Sequence, residues 1–170
     1  RCPFVSPQYI LTVIKWEAHV ATKNNRAIVE QWMNCLATGN QELFWQIHAK
    51  NVIYNISGHT VISGRIQGRE RMKNEIAAYV FGGLDLARSR FATKWKIMCA
   101  DEDRVVAMME ADCYAGNGVQ YDQRYLHIFA FRDNQISEVW EFFDTDLANR
   151  ALFTPEHAIP RSTGHTAFDF

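Results

Sequence analysis

YDQRYLHIFAFRDNQISEVWEFFD, Tyr121 to Asp144, is the stretch from which the fold can be read. Tyr121 to Arg132 is rich in aromatic and β-branched residues, Asp133-Asn134 suits a tight turn with positive φ, and Gln135 to Asp144 resumes the strand pattern. The stretch reads as one long β-hairpin at the centre of a curved sheet. A two-residue loop sets the register, so Phe131 should face Ile136, Phe129 Glu138, His127 Trp140, Tyr125 Phe142 and Gln123 Asp144. Alternation puts these pairs on one face, apolar near the turn and polar at the far end. Ile128, Val139 and Phe143 then point the other way, as do Arg124 and Glu141, which read as an ion pair on the sheet exterior or at a dimer interface.

Upstream, residues 87–100 and 104–115 carry strand patterns separated by Asp101-Glu102-Asp103, and Gly116-Asn117-Gly118 leads into the hairpin. Four long antiparallel strands need one face covered, and the first half of the chain supplies helices to cover it. Ile10, Val13, Ile14 and Ala18 recur at helical spacing after Ser6-Pro7. A second helix, capped by Asn24 or Asn25, carries Ile28, Val29, Trp32, Met33 and Leu36 as one stripe and ends at Gly39. Asn40 opens a short helix holding Leu43, Phe44 and Ile47; Val52 to Ile56 is a short strand; His59 to Gly68 is turn-rich. Met72, Ile76, Ala77 and Val80 mark a further helix stopped by Gly82-Gly83, and a brief helix, Leu147 to Phe153, precedes the tail TPEHAIPRSTGHTAFDF. The expectation is an α+β fold, a curved antiparallel sheet wrapped around N-terminal helices. Its parts are a helical extension over 1–23, the main domain over 24–153 and a tail over 154–170.

Composition narrows the function. The 170 residues are 48% hydrophobic, 13% aromatic and 22% charged with a formal net charge of −1, which argues for one globular domain and against a broad electrostatic surface for nucleic acid or anionic membrane. No apolar run approaches the roughly 20 residues that cross a bilayer, and no signal-peptide pattern is legible. Cys2, Cys35, Cys99 and Cys113 form no C-x-x-C and read as buried thiols of a reducing, cytoplasmic compartment. The six histidines form no i, i+4 pair beside a carboxylate, so no metal site is assigned. No glycine-rich phosphate loop of the strand-GxGxxG-helix type occurs, and no cofactor is expected.

Helices, a short strand, Gly58 to Glu70 (GHTVISGRIQGRE) before another helix, then long strands with Tyr121 to Phe131 and the ending Trp140 to Asp144 (WEFFD) form an order that resembles a known group. It is similar to the SnoaL-like branch of the nuclear-transport-factor-two-like superfamily over about residues 24 to 153. The resemblance implies a cone whose sheet and helices enclose a pocket open at one end, a fold shared by ketosteroid isomerases, polyketide cyclases, dehydratases, limonene epoxide hydrolases and non-catalytic binders. Fold does not choose among these chemistries. The resemblance sets Asn55 where the isomerases hold a catalytic carboxylate, His127 where they hold an oxyanion-stabilising acid, and Trp32 where they hold a helix-borne tyrosine. An asparagine cannot abstract a proton from carbon, which argues against a ketosteroid isomerase. The epoxide hydrolases use an asparagine and a tyrosine of this strand to hold water, and Tyr54 adjoins Asn55, although strand neighbours face opposite ways unless the strand bulges. A homodimer through the outer sheet face is also implied, with Ile128, Val139 and Phe143 at the interface.

Together these readings point to a cofactor-free acid/base enzyme, a cyclase, dehydratase, isomerase or hydrolase. His127 would transfer the proton, Asp144 would act as second acid/base or orienting group, and Asn55 would position water or a carbonyl oxygen. Trp32 and Tyr54, with Tyr121, Tyr125, Phe129, Trp140 and Phe142 of the hairpin, would bind a small hydrophobic molecule, polyketide- or terpenoid-like. The alternative is a non-catalytic binding or dimerisation module of the same fold, with the pocket filled or uniformly apolar and His127 bonded to backbone.

Overall fold

The computed structural model describes the backbone of residues 7–153 and the side chains of residues 23–153. Ser6, Cys2 and the tail after Phe153 lie outside the described residues. Helix α1 runs unbroken from Pro7 to Thr38, so the two expected helices are one. Neither asparagine interrupts it: the Asn24 amide donates to Asn134 Oδ1 at 2.6 Å and the Asn25 amide to the Glu102 carbonyl at 3.0 Å, tying the helix to the turns of both long hairpins. The helix ends at Gly39, whose φ of 72° suits glycine. Helix α2, Gln41–Gln46, follows, capped by the Asn40 side chain accepting from the Leu43 N–H.

Strand β1 is His48–Ile56, longer than the pattern suggested, and β2, Gly64–Gln67, lies in the stretch read as turn-rich. Residues 69–82 form one continuous helix, α3, whose middle turn is π-helical. Strands β3 (Arg90–Ala100), β4 (Arg104–Asp112), β5 (Arg124–Arg132) and β6 (Gln135–Phe143) follow, then helix α4, Thr145–Ala151. The six strands lie in the order β2-β1-β6-β5-β4-β3, antiparallel except for the parallel β1–β6 pair. This is the expected α+β architecture. The α1 stripe of Ile28, Val29, Trp32 and Met33 is buried with Val105, Ala107, Met109 and Phe129 of the sheet's inner face in one core. Gly58 lets β1 leave the sheet hard against Thr145, where a side chain would collide with that threonine's methyl.

The β5–β6 hairpin turns at Asp133-Asn134, with φ of 53° and 58° at the two residues. Its register corrects the simple count. Arg132 pairs with Gln135 and Phe131 with Ile136, but Ala130 then pairs with Glu138, leaving Ser137 as an extra residue in β6. From there each β6 residue is shifted by one: Phe129 meets Val139, Ile128 meets Trp140, His127 meets Glu141 and Tyr125 meets Phe143. The reason is electrostatic. Without the bulge, Glu138 would enter the core opposite Phe129; with it, Glu138 turns outward and pairs with Arg65 at 2.9 Å, while Val139 takes the core position at 0% exposure. Val139 and Phe143 are therefore inward residues, not interface residues, and only Ile128 of that trio faces out. Arg124 pairs with Glu110 at 3.6 Å rather than with Glu141. Cys35 and Cys113 are buried and burial pushes both thiols up, whereas Cys99 is exposed, contrary to the reading of all four as buried. Among the described residues, no helix is long and apolar enough to cross a membrane.

Candidate functional site

Between the inner sheet face and the helices lies a cavity of about 440 Å³. Its walls are mostly apolar, from Leu36 at the end of α1, Phe44 of α2, Met72 and Val80 of α3, and Phe91 and Met109 of the sheet. Against these stand four polar side chains of the inner sheet face: Tyr54, Tyr125, His127 and Glu141. Each belongs there because strands β1, β5 and β6 alternate sides and the Ser137 bulge sets the phase of β6.

His127 and Glu141 stand directly opposite in the β5–β6 ladder, with Nε2 and Oε2 3.1 Å apart. A carboxylate only accepts, so the Nε2–H donates. Nδ1 is buried and has no hydrogen-bond partner among the described residues. Aromatic rings enclose the imidazole: Trp32 edge-on at 4.9 Å, Tyr125 and Phe129 stacked along the strand, each at 5.7 Å. The side chains differ in access, His127 being 1% and Glu141 19% exposed. Glu141 lines the cavity together with Arg90, and His127 lines it too and holds the Glu141 carboxylate through Nε2.

A second network fixes the adjoining wall. His48 Nδ1–H donates to the Phe44 carbonyl at 2.6 Å, which leaves Nε2 to accept from the Tyr54 hydroxyl at 2.8 Å and the Trp32 indole N–H at 3.3 Å. Burial, and then the charge of Arg69, pull the His48 imidazole down to about 4 against the opposing pull of the Phe44 carbonyl. His48 is thus a neutral acceptor that orients Tyr54 and Trp32. Burial raises the Tyr54 and Tyr125 hydroxyls far above their usual range and Tyr121 to about 12, so all three stay protonated near neutrality. The Tyr121 and Tyr125 hydroxyls lie 3.3 Å apart.

Of the residues expected at the site, His127, Trp32, Tyr54 and Tyr125 line the cavity. Phe129 and Tyr121 are buried behind that wall, Phe129 against Trp32 at 5.2 Å and Tyr121 through Tyr125. Trp140 and Phe142 are corrected to the outer face by the bulge, opposite Ile128 and Leu126. Asp144 is exposed and caps α4 by accepting from the Leu147 N–H at 3.0 Å, away from the cavity lining. Asn55, next to the inward Tyr54, points outward, where its amide donates to Glu138 at 2.8 Å and its oxygen accepts from Arg65 at 3.1 Å. The expected trio His127, Asp144 and Asn55 is therefore not brought together. Glu141 and His48 were missed. The signal for Glu141 was present: Ile136 and Val139 are an odd number of residues apart, and a carboxylate opposite Phe129 demanded a break in alternation. Among the described residues, no group of three His, Cys, Asp or Glu side chains is arranged to hold a metal ion.

A curved sheet closed over by helices around a largely apolar cavity with polar side chains on the sheet wall defines a cone-shaped α+β domain. The chain belongs to the SnoaL-like domain family, whose model matches residues 29–139. Comparison with curated proteins gives no match. Solved structures share the fold. An NTF2-like protein from Burkholderia xenovorans superposes with a TM-score of 0.63 at 15% identity, over 77% of this chain and 97% of its own. TerC, co-crystallised with polyporic acid, gives 0.62 at 18% identity over 77% and 99%. A candidate polyketide cyclase from Pseudomonas putida gives 0.59 at 18% identity over 78% and 97%.

Proposed function

We propose that this protein is a cofactor-free acid/base enzyme that draws a small hydrophobic molecule, polyketide- or terpenoid-like, into the cone and moves a proton with Glu141. The observation that carries the reading is the Glu141–His127 pair, 3.1 Å apart, at the wall of an otherwise largely apolar cavity. A carboxylate facing such a space meets little competing water, which strengthens its interaction with a substrate proton. Glu141 would take a proton from carbon or oxygen of the bound molecule and return it at another atom, the shared step of isomerisation, dehydration and aldol-type cyclisation. His127 acts as a positioning residue by holding the carboxylate through its Nε2–H. Tyr125, protonated at working pH and on the same wall, is placed to donate toward an oxygen that gains charge in the reaction.

A proton-exchange assay tests the reading without the natural substrate. Small cyclic ketones are incubated with the protein in D2O, and loss of the proton beside the carbonyl is followed by NMR. Exchange accelerated by wild type, lost in Glu141→Gln and kept in Asp144→Asn supports the reading. Probe binding without exchange of any ketone supports the non-catalytic binder instead. Family likeness also supports a homodimer through the outer sheet face. The observed register puts Leu126, Ile128 and Trp140 there, and light scattering at micromolar concentration would show a monomer if that part is wrong.

A further inference from the structure

Helix α3 does not wind uniformly. Its ends are α-helical, but across Met72–Ala77 it widens, and the Ala78 N–H bonds to the Lys73 carbonyl five residues back. Such turns are rare and concentrate at functional sites. Here the helix has no room to shed the extra residue, because both ends are pinned. The Arg69 guanidinium donates to the Trp45 and His48 carbonyls, each at 3.2 Å, and the Met72 N–H to Gly68 at 3.0 Å. At the other end the Gly83 N–H bonds to Tyr79 and Val80, and Gly83 accepts from Gly116 at 2.9 Å.

The widened turn changes which side chains meet the cavity. Met72, Ile76, Ala77, Val80 and Phe81 all line it. At the roughly 100° per residue of an α-helix these five would spread over about 180° of the helix surface, with Phe81 opposite Met72. A π turn advances about 80° per residue, and the same five then fall within about 120°. The π turn thus rotates positions 77 and 81 onto the cavity. Phe81 is braced there by Phe91, ring centroids 5.6 Å apart and edge to face. Position 77 holds an alanine, the smallest side chain that keeps the helix.

We infer that the π turn Met72–Ala77 sets the size limit of the cavity's ligand and that Ala77 is the specificity-determining residue. This rests on the reading of the cavity as a substrate site. A larger side chain at 77 would project into the 440 Å³ space, whereas one at the exposed neighbour Ala78 would project into solvent.

The test is fluorescence titration with N-phenyl-1-naphthylamine and the smaller indole, on wild type, Ala77→Leu, Ala77→Phe and Ala78→Phe, with melting temperature as the measure of folding. The expected result is loss of naphthylamine affinity by about threefold for Ala77→Leu and tenfold or more for Ala77→Phe, on the order of one side-chain overlap. Indole should stay within about threefold in Ala77→Leu, and Ala78→Phe should match wild type for both probes. Naphthylamine binding unchanged in Ala77→Phe overturns the proposal, as does an equal loss for both probes in Ala77→Leu. If wild type binds neither probe, the cavity is not a ligand site and the reading beneath the proposal fails with it.

Discussion

Glu141 Oε2 stands 3.1 Å from His127 Nε2, both side chains line the cavity, and Glu141 is the more accessible of the two, 19% against 1% exposed. Their roles should therefore separate on mutation. Glu141→Gln keeps shape and a polar contact to His127 but removes the proton acceptor, so ketone proton exchange should fall by about 10² to 10⁴ while naphthylamine binding is retained. His127→Gln, which can still donate to the carboxylate, should keep more of the activity than His127→Phe. Equal losses in both His127 variants would mean that donation to Glu141 is not what His127 contributes.

The Ser137 bulge makes its own prediction. Deleting Ser137 removes the unpaired residue, so the ladder closes with Glu138 still opposite Ala130 and Val139 still opposite Phe129. That deletion should therefore stay within about 1 kcal/mol of wild type, whereas Val139→Glu, which puts a carboxylate opposite Phe129 as an unbulged strand would, should destabilise the fold by roughly 3 kcal/mol or more through a lost core side chain and a buried charge without Arg65. Urea unfolding measures this as a lower midpoint. Ser137→Ala keeps the bulge and should unfold close to wild type.

The same bulge marks where the sequence stops being legible. The hairpin, its turn at Asp133-Asn134 and the α1 core stripe could be read because local propensity and periodicity point one way. The phase of β6 beyond Ser137 could not, because a bulge trades one unpaired residue for the burial of Val139 and the escape of Glu138, a comparison that needs the neighbouring Arg65. Asn55 went astray for a related reason: a position borrowed from a resemblance carries no side-chain direction, and inward-facing Tyr54 forces Asn55 out. His48 was invisible because its partners, Phe44, Tyr54 and Trp32, converge only once α1, α2 and β1 have packed.

His48 gives stability a defined pH dependence. Its imidazole titrates at about 4 in the fold and near 6.5 when unfolded, so the unfolded chain takes up the proton first as pH falls. The stabilisation is complete above pH about 6.5, is lost as pH drops from there through about 4, and amounts to roughly 3 kcal/mol. Denaturant unfolding from pH 7 to pH 4 should show this slope in wild type and a smaller one in His48→Gln. An unchanged slope would show that other groups carry the dependence.

Asn55 should matter to folding and not to the site. It is 1% exposed and bridges Arg65 and Glu138 on the outer face. Asn55→Ala should cost about 1 to 2 kcal/mol of stability, since the Arg65–Glu138 pair survives it, and leave naphthylamine affinity within about twofold. A large affinity loss in a stable Asn55→Ala protein would return Asn55 to the site.

The most direct test of the account is a crystal structure with 2-naphthol, a flat apolar molecule bearing one hydroxyl. The hydroxyl should lie within hydrogen-bonding distance of the Glu141 carboxylate, about 3 Å, with the rings between Trp32 and the α3 side chains. Naphthol seated against Trp140 and Phe142, or a Glu141 side chain turned to the outside of the sheet, would contradict it.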